Sequence, residues 1–473
     1  MERDSGRRRW AAVIAVVAMG LLATLSTASA QDVARQENWR RLDSPHFQVI
    51  GNAGERDLRR VAEQFEQFRE AMALLFPDAL RRADLPTRIV VFRNHKAYTP
   101  FKPLYNGRPV EVGGYFQGGP DVNYITLTTE NLDDNLRLIY HEFVHLIVNT
   151  VHASVPVWFN EGLAEYYTTF DTQSGGRKVS LGRPVVRHVH TLREQFMPLA
   201  QLVLTDHRSP HYNEGDKRSI FYAESWALTH YLLLGNDMAY APNVGTFVGR
   251  LASGTPFEQA AREVLGVTQE DLDKELRRYV QRSTFVSQIA TLPERLTTLG
   301  KLPVTPLREA EVHAALGALL ARLNRSDEAR AQLAHALALD DSSVEAHAAL
   351  GLLHLRNGDR AVALDHLRKA ADGEQSSFLT HFYYAQGLDV LRASAADPTE
   401  AGDYSRRMEV ALRKAIELRP GFTESYHLLA YLKSLDATGI DEALVLMGQA
   451  LQRAPGREQY LLMTASLHAN RER

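Results

Sequence analysis

The sequence predicts an α+β domain followed by an all-α solenoid of repeated helix pairs. Two patterns carry this prediction. Residues 46–52 and 87–94 read as strands that precede a long amphipathic helix, and beyond residue 306 the sequence repeats itself at a fixed spacing, with Leu316 recurring as Leu350. The chain has 473 residues, too many for one ordinary core, and its length indicates about two to four domains.

The composition is that of a folded protein without a dominant charge. Hydrophobic residues make up 45% of the chain, and the formal net charge is −3. So small a net charge provides no field to attract nucleic acid, so nucleic acid is not expected as a partner. The chain has no cysteine, which excludes disulfides, thiolate metal sites and cysteine nucleophiles. Any bound metal must therefore have His, Asp or Glu ligands.

The N-terminus has the order of a secretory signal. Three arginines at positions 7–9 precede an apolar run at 10–25, which leads to an Ala-Ser-Ala segment at 28–30. This pattern predicts a signal peptide over residues 1–30 and export to the periplasm or the cell exterior, by the general or the twin-arginine route. An uncleaved membrane anchor is the alternative. No later stretch is apolar enough to span a membrane, so no span is expected after cleavage.

The first elements of the α+β domain follow from short-range periodicity. The segments HFQVIGN (46–52) and TRIVVFRN (87–94) are typical of strands, and the stretch between them is helical from about residue 55 to 75. Residues 112–128 predict a hairpin whose turn lies at the Gly-Gly-Pro of 118–120. Strands therefore dominate up to about residue 128.

A long helix is predicted from Asn131, and it carries an H-E-x-x-H motif. Its apolar face consists of Leu136, Ile139, Tyr140, Phe143 and Ile147. His141 and His145 are one helical turn apart, so both imidazoles can reach one Zn²⁺ while Glu142 points at its water. The alternative is a helix whose two histidines and glutamate merely pair with neighbouring side chains.

The segment SVPVWFNEGLAEYY (154–167) supplies a further pair of acidic residues. Pro156 can open a helix that carries Glu161 and, one turn later, Glu165. A catalytic zinc needs a third protein ligand besides the two histidines, and Glu161 is the candidate. Glu165 is suited to accept a hydrogen bond from a ligating imidazole and fix its tautomer. The alternative for both is a solvated helix face.

HEFVH followed by PVWFNEGLAEYY resembles the gluzincin metallopeptidases, in particular the peptidase-MA-like domains that many bacteria export. The resemblance covers about residues 40–285 and implies a zincin-like metallopeptidase domain over 31–285. It also implies that Glu161 is the third zinc ligand and that Glu165 supports the ligands. The stretch FYAESWALTHYLL is similar to a Y-x-K-G-A stretch of these enzymes, with Glu and Ser in place of Lys and Gly, which implies that Tyr222 stabilises the oxyanion.

The activity implied is peptide hydrolysis by a zinc-activated water, with Glu142 as the general base. The two motifs are closer together than in aminopeptidases of this group, and the G-x-M-E-N stretch that binds a free amino terminus is absent. An endopeptidase acting on a peptide or protein substrate is therefore expected. Peptides in this fold group commonly pair with an edge strand, which we place at Tyr124–Leu127.

The C-terminal part is predicted to be a repeat domain over residues 307–473, joined by a proline-rich linker at 286–306. Positions that recur at one constant spacing are Leu316 and Leu350, Gly317 and Gly351, Ala329 and Ala363, Leu333 and Leu367, and Ala336 and Ala370. They resemble the tetratricopeptide repeat, whose period of about 34 residues they share. About four units are expected, with an insertion at 393–403 and a capping helix at 458–468. Such repeats imply a protein partner.

Three functions compete at this stage. The first is the zinc endopeptidase, with the repeats recruiting substrate or a partner. The second is a tetratricopeptide scaffold with an inactive peptidase-like domain, and the third is a zinc amidase that acts on cell-wall peptides. Since His141, Glu142, His145 and Glu161 are all present, the enzyme is favoured. The histidines of the repeats are scattered and predict no second metal cluster. Tyr212 is expected in a plain surface loop, with a lid before the Tyr222 helix as the alternative.

Overall fold

The structure is a computed structural model that describes residues 38–76, 85–151, 155–213, 215–292, 294–296, 302–455 and 457–471. The predicted signal peptide lies outside these residues. Within these ranges, no helix combines the length and the apolar composition needed to cross a bilayer.

The secondary structure separates strands from helices along the chain. The strands are β1 (Arg40–Asp43), β2 (Phe47–Gly51), β3 (Thr87–Phe92), β4 (Leu104–Tyr105), β5 (Arg108–Pro109), β6 (Gly114–Gln117), β7 (Asn123–Thr128), β8 (Asp171–Gln173), β9 (Lys178–Leu181), β10 (Gln288–Thr291) and β11 (Thr305–Pro306). The helices before the repeats are α1 (Glu55–Leu75), α2 (His95–Tyr98), α3 (Leu132–Val151), α4 (Val157–Tyr167), α5 (Val186–Glu194), α6 (Leu199–Leu204), α7 (Pro210–Asn213), α8 (Gly215–Leu234), α9 (Val244–Ala252), α10 (Phe257–Ala260) and α11 (Gln269–Val280). The predicted strands, hairpin and first two long helices are thus confirmed.

The main sheet is mixed and has six strands in the order β11-β1-β2-β3-β7-β6. Strands β2, β3 and β7 run parallel to one another, and the remaining pairs are antiparallel. The prediction that Tyr124–Leu127 forms the sheet edge is wrong, because β7 pairs with β3 on one side and β6 on the other. Strand β6 is the edge on that side. Smaller sheets join β10, β9 and β8, and β4 with β5.

The two faces of the main sheet are covered by different parts of the chain. Successive strand residues point to opposite faces, so Ile89 and Val91 face helices α1 and α3, whereas Val90 and Phe92 face the other way. On that second face they share a core with Leu316 and other apolar residues of the first repeat. The repeats therefore form the second layer over the sheet.

The start of α3 is tied directly to the end of β7. The side-chain amide of Asn135 donates hydrogen bonds to the carbonyl oxygens of Thr128 and Glu130 at 2.9 and 2.8 Å. Asp133 and Asp134 in the first turn are favourable beside the positive end of the helix dipole. The predicted apolar face of the helix is buried, from Leu136 through Ile147. Packing of this apolar face against the core therefore fixes the orientation of the H-E-x-x-H motif.

Helix α4 packs closely against α8. Gly162 lies at this contact, where a Cβ atom would collide with the carbonyl oxygen of Ser225 and the hydroxyl of Thr229. A glycine is therefore required next to Glu161, because any side chain would push the two helices apart. The Asn-Glu-Gly order of the sequence thus has a packing reason.

Over the described residues of the C-terminal part, four stacked helix pairs and a final helix form a solenoid, which confirms the predicted tetratricopeptide-like repeats. Its helices are α12 (Glu309–Arg322), α13 (Ser326–Leu339), α14 (Val344–Asn357), α15 (Arg360–Asp372), α16 (Phe378–Arg392), α17 (Pro398–Leu418), α18 (Thr423–Ser434), α19 (Ile440–Arg453) and α20 (Glu458–Arg471). Part of the predicted insertion at 393–403 is helical, since α17 begins at Pro398 with Asp397 as its cap.

The junction between sheet and solenoid contains partly buried ion pairs and strand pairing. Arg88 of β3 pairs with Glu345 of the second repeat, and Asp121 accepts hydrogen bonds from Arg322 and from the Tyr383 hydroxyl. The region 286–306, predicted as a linker, provides β10 and β11, and β11 pairs with β1. The solenoid is therefore attached along the sheet as well as through the chain.

Candidate metal centre

Helices α3 and α4 bring the predicted ligands together at the floor of a cleft. Nε2 of His141 and Nε2 of His145 are 3.0 Å apart. Oε2 of Glu161 lies 3.2 Å from the first and 3.3 Å from the second. His141 and Glu161 are buried, and His145 is mostly buried. Three potential ligand atoms from two helices thus face one point.

The contacts made by Nδ1 of His141 and Nδ1 of His145 determine which ring nitrogens of these histidines carry lone pairs. Nδ1 of His145 is 2.9 Å from the side-chain oxygen of Asn160, and an amide oxygen only accepts, so Nδ1 donates. Nδ1 of His141 faces Oε1 of Glu165 at 3.5 Å, and a carboxylate likewise favours a proton on that nitrogen. Both Nε2 atoms therefore present lone pairs to each other and to Glu161.

This arrangement fits a bound cation. Ligand atoms about 2.1 Å from a tetrahedral zinc ion are separated from one another by roughly 3.3 Å, close to the spacing seen here. Oε2 of Glu161 is buried and has no hydrogen-bond partner of acceptable geometry among the described residues. Three acceptor atoms facing one another without a proton would repel, so the donor set suits a divalent metal.

Without a metal, the electrostatics of the cluster favour an anionic Glu161 and a proton on His145, which a bound metal would displace. Burial raises the pKa of Glu161, but interactions with His141 and His145 outweigh it and hold the pKa well below its usual range. Burial lowers the pKa of His145, and Glu161, Asn160 and Glu142 together outweigh that effect and raise it. Glu161 is therefore an anion at neutral pH, as a metal ligand must be.

Glu165 lies one turn beyond Glu161 and is also buried. Its Oε2 accepts a hydrogen bond of 2.9 Å from Nε2 of His188 on α5, and Arg187 lies 3.6 Å from its Oε1. Burial raises the pKa of this carboxyl, but His188, His141 and Arg187 outweigh burial and lower it. Glu165 is thus an anion held between His188 and the His141 ring.

Glu142 and Tyr222 line the same cleft, whose volume is about 1310 Å³. Glu142 is partly exposed and stands between the two histidines in the sequence. The pKa of Tyr115 on the edge strand is raised by burial and, to a smaller extent, by the charge of Glu142. The ring of Tyr222 is stacked near the ring of His141, with 6.1 Å between centroids. Both side chains are therefore within the cleft that contains the cluster.

Tyr212 of the short helix α7 is a site residue that sequence reasoning missed. Its hydroxyl donates a 3.1 Å hydrogen bond to Oε1 of Glu161, and its ring stacks near that of Tyr222. Burial, followed by the charge of Glu161, raises the pKa of Tyr212. The expected plain surface loop is thus wrong at this position. Since Oε1 of Glu161 accepts this bond from Tyr212, Oε2 is the oxygen that faces the two histidines.

The structure places the predicted site residues in one cleft, together with residues that the sequence did not indicate. The predicted residues found there are His141, Glu142, His145, Glu161, Glu165 and Tyr222. The additional residues that contact them are Asn160, Arg187, His188 and Tyr212. Asn160 adjoins Glu161 in the chain and could have been suspected, whereas His188 stands in no recognisable motif.

A second group of potential ligands occurs in the first repeat, contrary to the prediction that the repeat histidines form no metal cluster. Glu309, His313 and His335 each offer one ligand atom, and these atoms all lie within 4.8 Å of one another. The prediction failed because His313 and His335 belong to different helices that meet only when the repeat folds.

Comparisons with known proteins assign no activity to the chain. A family described as "Protein of unknown function (DUF1570)" matches residues 135–257, which include the cleft helices. The comparison with curated proteins found no match.

Among solved structures, the chain is similar to several helical repeat proteins. YrrB, titled a TPR protein with an unusual peptide-binding site, has 20% identity and a TM-score of 0.29 over 34% of this chain and 78% of that chain. TTC0263, a TPR protein of Thermus thermophilus, has 19% identity and a TM-score of 0.30, covering 34% and 81%. The match to pilF of Pseudomonas aeruginosa has 20% identity and a TM-score of 0.30, covering 34% and 69%.

Proposed function

We propose that the chain is an exported zinc-dependent endopeptidase whose active site is the cleft over α3 and α4. The observation that carries the proposal is the convergence of His141 Nε2, His145 Nε2 and Glu161 Oε2 within 3.3 Å. Glu142 lines the same cleft. This combination of three ligand atoms and an adjacent carboxylate also agrees with the gluzincin resemblance of the sequence.

Each cleft residue has a defined part in the proposed hydrolysis. A zinc ion bound by the three residues would acidify water and polarise the substrate carbonyl. Glu142 takes the proton of the attacking water and passes it to the leaving amine. Tyr222 donates a hydrogen bond to the carbonyl oxygen as that oxygen gains negative charge. Glu165 holds the His141 ring so that its Nε2 faces the metal.

The shape of the site suits an extended peptide. Strand β6 is the outermost strand of the main sheet beside α3, so its outer backbone edge can pair with a substrate strand. Tyr115 of this strand is near enough to Glu142 for its pKa to respond to that charge. A peptide added to β6 would therefore pass beside the catalytic carboxylate.

A binding function for the solenoid is the second candidate. Stacked helix pairs present an extended surface of the kind that binds peptides and proteins, and the proposed role is recruitment of substrate or a protein partner. If the cleft were inactive, the chain would be a scaffold. A zinc amidase that cleaves cell-wall peptides would share the cleft chemistry and differ in substrate.

The test combines metal analysis with an activity assay on the mature chain. We expect zinc to be retained in Glu142→Gln but lost from the cleft in Glu161→Ala, and hydrolysis of casein to fall by about 10³-fold or more in both. Glu194→Gln, an exposed carboxylate of the same domain, is the control and should behave as wild type.

The outcomes separate the candidates. Zinc with casein cleavage supports the peptidase, and cleavage of peptidoglycan in a zymogram without casein cleavage supports the amidase. Zinc binding without either activity leaves the scaffold. If the wild type bound no zinc at the cleft, both the peptidase and the amidase proposals would be overturned.

A further inference from the structure

The first repeat contains a second set of two histidines and a glutamate, separate from the cleft. Glu309 and His313 are one turn apart on α12, and His335 projects from the paired helix α13. Nε2 of His313 and Nε2 of His335 each lie 3.7 Å from Oε1 of Glu309. The two imidazole rings meet edge to face, with 4.3 Å between their centroids.

The orientation of His313 resembles that of a metal ligand. This side chain is fully buried, and its Nδ1 is hydrogen-bonded to the side-chain oxygen of Gln332 on α13. Because an amide oxygen only accepts, Nδ1 carries the proton and Nε2 presents its lone pair to Glu309 and His335. Fixing the outer nitrogen of a histidine in this way is typical of metal sites.

The next repeat provides an internal comparison. His347 occupies the position in the second repeat that His313 occupies in the first, and it too bonds through Nδ1 to the facing helix, at His366. The positions that correspond to Glu309 and His335 are Ser343 and Lys369, however. The buried histidine is therefore a feature of the repeat, whereas the two additional ligands occur only in the first of these two units.

We propose that Glu309, His313 and His335 bind a second divalent transition-metal ion, of the class of Zn²⁺ or Co²⁺. Two imidazoles and one carboxylate are a donor set that these ions accept. The side chain of Glu309 is 46% exposed and that of His335 is 22% exposed, so an ion can enter from solvent. This site is independent of the proposed peptidase function.

A metal bound at this cluster would connect the two helices of the first repeat. Val312 and Leu316 of α12 belong to the core shared with the sheet, while His335 lies on α13. An ion bound across the two helices would fix α13 to the helix that contacts the sheet. Metal binding in the repeats would therefore strengthen the unit on which the rest of the solenoid is stacked.

The experiment is a zinc titration of the full mature chain after removal of metal with a chelator. We expect two zinc ions per wild-type chain, one in Glu161→Ala, one in His335→Gln and none in the double variant. Cobalt titration of Glu161→Ala should give the visible absorption of a low-symmetry Co²⁺ site, and His335→Gln in that background should abolish it. His354→Gln removes a histidine of the second repeat and is the control, with two ions retained.

Glu309→Gln provides a second variant in case His335→Gln disturbs the fold, because Glu309 is half exposed and its replacement keeps the helix. Circular dichroism establishes that both variants are folded. The inference is overturned if Glu161→Ala binds no zinc below millimolar concentration, or if His335→Gln and Glu309→Gln bind as much as their parent. If the wild type bound one ion in the first repeat and none in the cleft, the proposed function would be overturned and the inference for the first repeat would stand.

Discussion

The cleft of the N-terminal domain and the cluster of the first repeat each contain two histidines and one glutamate, and they differ in what surrounds these side chains. In the cleft each ligand has its own partner: Asn160 on His145, Glu165 on His141, and Tyr212 on Glu161. In the repeat, Gln332 supports His313, and Glu309 is half exposed. Chemically identical ligands therefore stand in surroundings that differ widely in burial.

The two regions also bury different kinds of residue. Around the cleft the interior contains charged and polar groups, among them Glu161, Glu165, His188 and Glu224. The solenoid interior is built largely from alanine and leucine at repeat-equivalent positions. Polar groups in a low-dielectric interior are costly unless they are paired. Buried polar residues also occur in the repeats, among them His313, Gln332 and Glu424, but those of the cleft domain include the carboxylates that line the candidate site.

The largest expected difference is in metal affinity. Partners that orient ligands are worth about 10- to 100-fold in affinity, and the ligands of the cleft are more deeply buried, since Glu161 is buried whereas Glu309 is 46% exposed. We therefore expect the cleft to bind zinc about 10- to 100-fold more tightly. Competition with a chelator, run on Glu161→Ala and on His335→Gln, measures the two sites separately. Equal affinities would contradict this expectation, because the surroundings of the ligands would then have no effect.

Replacing Tyr222 tests whether the cleft stabilises the transition state of the proposed hydrolysis in addition to binding a metal. We expect Tyr222→Phe to lower kcat by about 10²-fold, since a hydrogen bond to the developing oxyanion is lost, while zinc content stays at the wild-type value. Tyr240→Phe removes a hydroxyl that donates to Glu275 elsewhere in the domain and is the matched control. If kcat were unchanged and only KM rose, Tyr222 would contribute to substrate binding and not to the transition state.

The support of His141 by Glu165 has a smaller expected effect. Replacing Glu165 with Gln removes the anion that orders His188 and faces His141. We expect zinc affinity at the cleft to fall about 10- to 100-fold, with the affinity of the repeat cluster unchanged. Measuring both sites in one chain makes the repeat cluster the internal reference. A parallel loss at both sites would indicate general unfolding and would contradict the assigned role.

The last expected effect concerns the stability of the fold and arises from the buried carboxyl of Glu224. Burial raises its pKa to about 8, which the backbone N–H of Met197 and the charge of Arg277 only partly offset. The folded chain thus retains a proton that the unfolded chain releases near pH 4.5, so stability falls as pH rises from about 4.5 to about 8. In unfolding of metal-free chains at pH 5 and pH 9, the stability of Glu224→Gln relative to the wild type should rise by on the order of 4 kcal/mol between the two pH values. An equal difference at both pH values would contradict it.

Much of the fold could be predicted because its signals are local. The alternation in TRIVVFRN, the turn residues at 118–120 and the spacing of His141 and His145 each depend on neighbours within a few positions. The recurrence in the solenoid is local in another sense, since each repeat contacts the next. The position of Glu161 beside the two histidines could be anticipated, because the predicted zinc site with two histidines needs a third ligand.

What could not be predicted depends on contacts between distant segments. Strand β6 became the edge in place of Tyr124–Leu127 because β7 pairs on both sides, which no local pattern reveals. His188 reaches Glu165 and Tyr212 reaches Glu161 only after several helices have packed. Strand β11 pairs with β1, although the whole cleft domain lies between these two strands in the sequence.

The second face of the sheet has a consequence for the history of this chain. Val90 and Phe92 point toward the first repeat, and the charged partners of Arg88 and Asp121 lie in the second and the first repeat, respectively. A recombination event that exchanged the solenoid for another module would leave an apolar surface and two unneutralised charges open to water. The two halves are therefore expected to be inherited as one unit, with substitutions on the sheet matched by substitutions on α12 and α14.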